Sequence, residues 1–235
     1  MIIAGNFKMN KTRRETETFL TELEKKIPAG VEVVIFPPMT ALLSHRLIGA
    51  QNGYPKEKGA VTGEVGLEQL REFKIDKILI GHSERRKLGE GKDFLAQKFQ
   101  FFKKHNFQIF FCIGEPLEVR QKGKKEVFRF LKGQLEGIDL GYSRLVVAYE
   151  PVWAIGSGMT PTPAEIEEVH RFIKNVGAER VIYGGSVSPK NAQSILEVEE
   201  VDGVLVGGAS LKLETFLPIV EIGATIVHNF SSKLE

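Results

Sequence analysis

The chain of 235 residues has one cysteine, Cys112, and one tryptophan, Trp153. A lone cysteine excludes an internal disulfide framework and fits a reducing compartment. An excess of either charge is also missing, with 32 basic against 30 acidic side chains and a formal charge of +2. No basic stripe is interleaved with aromatics, and the group Lys122, Lys124, Lys125 reads as a solvated helix face, so neither nucleic acid nor a membrane surface is expected as a partner. No apolar stretch is long enough to span a bilayer, and no charged segment followed by an apolar run and a cleavage site opens the chain. The expected location is the cytoplasm, where the sequons at Asn10 and Asn229 go unused. Low-complexity linkers and composition shifts are absent too, so a single domain over residues 1–235 is expected. The five histidines and the cysteine show no metal-ligand spacing, and no metal or organic cofactor is expected. The terminal Leu234-Glu235 carries no structural expectation.

What the chain does contain is a recurring unit. Short Val- and Ile-rich runs fall at residues 2–5, 31–36, 47–50, 78–81, 107–113, 145–149, 181–183 and 204–206. Continuous apolarity indicates strands covered on both faces, as in parallel sheets. Helical patterns lie between them: Phe19, Leu20, Leu23 and Ile27 share one face, as do Ile166, Val169, Ile173 and Val176. Thr162-Pro163-Ala164-Glu165 is a complete helix start, with a capping threonine, a proline in the first position and a glutamate to close the capping box. Ser188-Pro189 is a similar start, and Ser210 is expected to cap the last helix. Eight alternations at this length predict a closed (β/α)8 TIM barrel. A doubly wound open sheet would place a glycine fingerprint after the first strand, where "GNFKMN" stands instead.

Reacting groups of such barrels sit where strands end. The first run ends at Asn6 and Lys8, the fourth at His82 and Glu84, the sixth at Glu150. Gly207 and Gly208 before a helix start, and Gly185-Ser186 after the neighbouring run, offer backbone N–H groups to an anion such as phosphate. A helix beginning near Ser83 disfavours the imidazolium of His82, so a neutral ring that donates a hydrogen bond is expected. Lys8 supplies positive charge, with Glu84 as its partner. Cys112 is expected to be buried packing rather than a reactive thiol. Arg180 and Asp202 are expected to pair across adjacent strand starts.

Seven motifs, "AGNFKMN", "GAQN", "GHSERR", "CIGE", "YEPVWAIGSG", "YGGSV" and "DGVLVGGASL", run in order from residue 4 to residue 211. Together they resemble the triosephosphate isomerase family. The resemblance implies cofactor-free interconversion of dihydroxyacetone phosphate and D-glyceraldehyde 3-phosphate, a step of glycolysis and gluconeogenesis. It implies that Glu150 is the base, that neutral His82 polarises the carbonyl, and that Lys8 and Asn6 stabilise the enediolate, with Glu84 beside the lysine. N–H groups of Gly156, Ser186, Gly207 and Gly208 would hold the phosphate. The stretch from Pro151 would be a lid: Pro151, Val152 and Trp153 form one hinge, Met159-Thr160-Pro161 the other. Ala154, Ile155, Gly156, Ser157 and Gly158 would swing between them, with Tyr183 and Ser186 as latch partners.

Departures from the family pattern are Phe7 where tryptophan is usual, Met159 where lysine is usual, and Gly53 and Pro55 at the base of the 52–66 segment. "PPMTALLSHR" leaves room for only a stunted second helix, which predicts a compact variant. The 52–66 segment resembles the loop that reaches into a partner subunit, implying a homodimer with Thr62 near the partner's active site. Two rival readings predict other features. A sugar-phosphate epimerase or aldolase needs metal ligands or a Schiff-base lysine at a strand end. A non-enzymatic barrel predicts a damaged site, yet Lys8, His82 and Glu150 are all present.

Overall fold

The computed structural model describes residues 1–156 and 159–231. Seven strands, β1 (Ile2–Asn6), β2 (Glu32–Phe36), β3 (Lys77–Ile80), β4 (Gln108–Ile113), β5 (Leu145–Tyr149), β6 (Val181–Tyr183) and β7 (Gly203–Val206), form a parallel sheet. Their order is β2-β1-β7-β6-β5-β4-β3. The two edges are joined by residues 47–50, expected as a full strand. Ile48 bridges Ile35 of β2 and Ala50 bridges Ile78 of β3, both in parallel. The hydrogen bonds run Ile35 N to Leu47 O (2.7 Å), Gly49 N to Ile35 O (2.9 Å), Ala50 N to Lys77 O (2.9 Å) and Leu79 N to Ala50 O (2.9 Å). This segment is therefore the eighth stave, held by single bridges instead of a ladder. Its midpoint must be glycine, because a Cβ on Gly49 would lie 2.4 Å from the Phe36 ring. The architecture is the TIM barrel.

Alternation along each strand explains why the runs are apolar throughout. Ile2, Ala4, Val34, Phe36, Leu79, Phe110, Cys112, Val146, Ala148, Ile182 and Leu205 point inward and fill the barrel. Their neighbours Ile3, Val33, Ile35, Ile78, Phe111, Val147 and Val206 point outward beneath the helices. Cys112 is thus barrel packing, fully buried, and burial pushes its thiol well up.

The covering helices are α1 (Arg13–Glu24), α2 (Leu67–Glu72), α3 (Ser83–Lys87), α4 (Lys92–Lys104), α5 (Leu117–Arg120), α6 (Lys124–Gln134), α7 (Pro163–Asn175), α8 (Ala192–Leu196) and α9 (Leu213–Ser231). Helix α7 starts as expected, with Thr162 and Glu165 closing a capping box and Pro163 in the first turn. Between β2 and the bridging stave there is only a 3₁₀ turn, Met39–Ala41, so the second helix is indeed stunted.

Three local expectations are corrected. Ser188 heads a turn, not a helix: its N–H and hydroxyl both go to Asn191 Oδ1, and α8 begins at Ala192. Ser210 lies inside a 3₁₀ turn, Gly208–Leu211, and donates to Gly207 O, while α9 starts at Leu213. Arg180 and Asp202 do not pair. Arg180 donates to Ser143 O, whereas Asp202 accepts from Val181 N and Lys174 Nζ. Among the described residues, no helix is long and apolar enough to cross a membrane.

Candidate active site

A cavity of about 340 Å³ opens at the C-terminal ends of the strands. Asn6, Lys8, His82 and Glu150 line one part of it, and Gly156, Ser186, Gly207 and Gly208 another. The strand-end residues singled out from the sequence therefore converge, although they are spread over 203 positions of chain from Asn6 to Gly208 if both ends are counted.

Lys8 follows β1 with φ of 52°, a left-handed conformation that is costly for a side-chain-bearing residue. Its N–H is held by Asn6 Oδ1 at 2.9 Å, and its ammonium donates to Glu84 Oε1 at 2.7 Å. Burial alone would raise Glu84, but the hydrogen bond and charge of Lys8 oppose it, and its carboxyl sits below the ordinary value and stays ionised. The pair is a fixed cation with a fixed counter-ion at the cavity rim.

His82 sits between β3 and α3. Its Nδ1 accepts the Glu84 N–H at 3.3 Å, whereas the nearer Glu84 carboxylate oxygen is 3.6 Å away, beyond hydrogen-bond reach. An accepting Nδ1 carries no proton, which puts the ring hydrogen on Nε2. That nitrogen faces Glu150 Oε1 at 3.1 Å. The local geometry thus turns a nitrogen able to donate toward the Glu150 carboxylate.

Glu150 leaves the end of β5 and is 2% exposed. Its Oε2 accepts Ser83 N–H at 3.2 Å. Burial raises its affinity for a proton, and His82, the Ser83 amide, Lys8 and Cys112 only partly oppose this. A carboxylate held this way is a stronger base than one in water. Two glycines make room for it. A Cβ on Gly184 would lie 2.8 Å from Glu150 Cγ, and one on Gly114 would strike Glu150 O at 1.7 Å.

Beyond Glu150 the chain makes a 3₁₀ turn, Val152–Ala154. Trp153 Nε1 donates to Glu115 Oε1 at 2.9 Å, Tyr149 Oη donates to the same oxygen at 3.1 Å, and the Arg120 guanidinium lies 5.5 Å from the Trp153 ring centre. Val152 N is bonded to Glu115 O. Burial pushes the Glu115 carboxyl up, against the hydrogen bonds of Trp153 and Tyr149. Ser186 Oγ donates to Ala154 O at 2.6 Å, so one latch partner touches this segment. The other, Tyr183, has a buried hydroxyl with no hydrogen-bond partner among the described residues. Ser157 and Gly158 of the expected lid lie outside the described residues, as do Leu234 and Glu235.

A second cavity of about 350 Å³ adjoins the first on the Lys8 side, bounded by Met9, Gln51, Glu84 and Leu88. Met9 is 94% exposed and Leu88 75%. The 52–66 segment folds back on itself through Tyr54 N to Val65 O (2.8 Å) and Leu67 N to Lys56 O (3.0 Å), leaving Thr62 exposed. Among the described residues, no group of three or more His, Cys, Asp or Glu side chains is placed to hold a metal ion.

The triosephosphate isomerase family model matches residues 1–223. The triosephosphate isomerase of Helicobacter hepaticus is 48% identical over 229 residues, covering 93% of this chain and 97% of that one. That of a Sulfurovum species is 49% identical over 227 residues, covering 94% and 99%. The Nitratiruptor counterpart is 44% identical over 227 residues, covering 94% and 98%. The chain belongs to the triosephosphate isomerase family. Within this family fold, two features escaped the reading of the sequence. Glu115, the shared acceptor for Trp153 and Tyr149, stands in the quoted "CIGE", but an acid after a strand does not announce a buried partner. Gly184 stands in the quoted "YGGSV", where only Gly185-Ser186 carries an expectation, as anion-binding N–H groups, and nothing marks the room that Glu150 needs.

Proposed function

We propose that this chain, acting as one catalytic barrel over residues 1–235, interconverts dihydroxyacetone phosphate and D-glyceraldehyde 3-phosphate with its own side chains. The observation that carries the reading is the convergence of a buried glutamate, a donating imidazole and a paired lysine on one cavity floored by glycine turns. Glu150 takes a proton from the hydroxyl-bearing carbon next to the carbonyl, and the C–H electron pair becomes the enediolate double bond. His82 Nε2–H donates to the carbonyl oxygen as negative charge builds there, then moves protons between the two oxygens. Lys8 and Asn6 stabilise that charge. Glu150 returns its proton to the adjacent carbon, completing the exchange. The N–H groups of Gly156, Ser186, Gly207 and Gly208 hold the phosphate. The lid formed by Pro151, Val152, Trp153, Ala154, Ile155, Ser157 and Gly158 closes over it against Tyr183 and Ser186, keeping water from the enediolate. The reaction serves glycolysis, gluconeogenesis and, through the shared triose, the pentose phosphate pathway, in the cytoplasm.

A coupled assay with glyceraldehyde 3-phosphate tests this directly. The chain turns the substrate over, and Glu150→Gln lowers kcat by roughly 10²–10⁴-fold with the fold unchanged. Wild-type turnover in that variant overturns the assignment.

The same reading makes the protein a homodimer. The exposed Met9 and Leu88 beside the second cavity, and the polar loop tip at Thr62, support one copy's loop docking beside the other's Lys8. Thr62→Arg converts the dimer to monomer in sedimentation and lowers turnover. A variant unchanged in both measurements removes the dimer from the proposal.

A further inference from the structure

Gln51 and Asn52 stand at the root of the 52–66 loop and carry none of the roles above. Gln51 Nε2 donates to Lys8 O at 2.8 Å and to Phe36 O at 2.9 Å. A carboxamide has two N–H bonds, so both are committed to these carbonyls. Phe36 O also receives Phe7 N at 3.0 Å, which ties the ends of β1 and β2 together at this amide. With Asn6 Oδ1 on the Lys8 N–H, side chains hold the lysine's backbone from both sides, at the residue whose φ is left-handed. A strained conformation persists only where its surroundings over-determine it.

Asn52 faces the other way. Its Oδ1 accepts from Lys98 Nζ at 2.6 Å, and Lys98 Nζ donates to Glu90 Oε1 at 2.7 Å. Glu90 Oε1 also accepts from Arg85 Nε at 2.8 Å. Lys98 is fully buried and Glu90 nearly so. Arg85 is the neighbour of Glu84, the carboxylate that holds the Lys8 ammonium. The two root residues therefore reach Lys8 at both its ends.

We propose that Gln51 is a positioning residue for Lys8, fixing the backbone from which the ammonium reaches the cavity, with Asn52 steadying the helix that carries its counter-ion. The proposal rests on Lys8 being the cation of the reaction, as argued above.

The full-length protein is tested as Gln51→Met, which keeps the length and removes both donors. Gln51→Asn, which keeps the amide but withdraws it by one methylene, is the milder second variant. Sedimentation and thermal unfolding report assembly and fold. Steady-state kinetics give kcat and KM, and calorimetry gives the Kd for 2-phosphoglycolate, each in the native and in a Lys8→Met background. The expected result is a loss in kcat/KM of roughly 10- to 100-fold for Gln51→Met, with a smaller loss for Gln51→Asn. The accompanying loss of 2-phosphoglycolate affinity disappears when Lys8 is already replaced, since the two residues act as one unit. Unchanged kcat/KM in the folded variants, or an equal affinity loss with and without Lys8, overturns the proposal. Native turnover and affinity in Lys8→Met alone instead removes the reading it rests on.

Discussion

The two walls of the active-site cavity are built differently. On the β1 and β3 side, Lys8 and His82 are fixed through main-chain groups: the Lys8 N–H and carbonyl are each bonded by a side chain, and the His82 ring accepts a backbone N–H. On the β5 side the fixings are mostly side-chain tethers. Glu150 reaches the cavity through its own side chain, packed where Gly184 has no Cβ and met by the Ser83 N–H, and the segment after it is held by the Trp153 indole and the Ser186 hydroxyl. The difference matches what the proposed mechanism asks of each wall. Stabilising an enediolate needs charge and donors that do not reorganise, whereas moving a proton between two carbons and admitting a substrate needs a group and a cover that can move.

Removing the charge from the fixed wall tests it most severely. Lys8→Met leaves the backbone clamps in place and should cost roughly 10²–10³-fold in kcat/KM, with thermal unfolding little changed. A loss of fold alongside would mean that the clamps depend on the Glu84 pair, and the contrast between the walls would weaken. The tethered wall should respond less. Glu115→Met deletes the acceptor shared by Trp153 and Tyr149 and should lower kcat/KM about tenfold by misplacing the hinge. Because Trp153 is the only tryptophan, its fluorescence follows the hinge: a change on binding 2-phosphoglycolate in the native protein should shrink in the variant. A native signal that stays flat while calorimetry confirms binding rules out movement at this hinge.

The smallest effect concerns stability. Burial raises the Glu150 carboxyl above its ordinary value of 4.5, so the folded state holds that proton more firmly than the unfolded chain does. Its contribution therefore favours folding below the ordinary value and is lost as pH rises through the folded one. Glu150→Gln should accordingly gain about 1 kcal/mol near neutral pH, with the gain vanishing below about pH 4. A variant less stable than the native protein at neutral pH would show that the Ser83 and His82 contacts outweigh burial.

The strand–helix alternation and the strand-end side chains that meet at the cavity were legible because both depend on local pattern: apolar runs with a defined period, and polar groups at the points where those runs stop. Legibility failed where a choice between partners decides the outcome. Ser188 and Ser210 each bond a group three residues away, and Asp202 has two rivals about as distant in sequence as Arg180; sequence pattern cannot rank these against the expected partner. The 47–50 run has strand composition, but the Phe36 ring leaves it only a glycine's width. Gln51, Asn52 and Glu115 work through contacts 15 to 46 residues away in sequence, which no periodicity can show.

One orphan group has a thermodynamic meaning for the lid. The Tyr183 hydroxyl is buried against the Gly185 backbone, where a Cβ would come within 2.1 Å of it, and it has no acceptor among the described residues. Leaving such a donor unmatched costs about 1–3 kcal/mol. If the proposed lid closes, a rearrangement that brings a carbonyl or amide to this hydroxyl recovers that amount and biases the closure by roughly one to two powers of ten. A Tyr183→Phe chain would have no such bias, and its lid would lose a preference without losing a single bond seen in the structure.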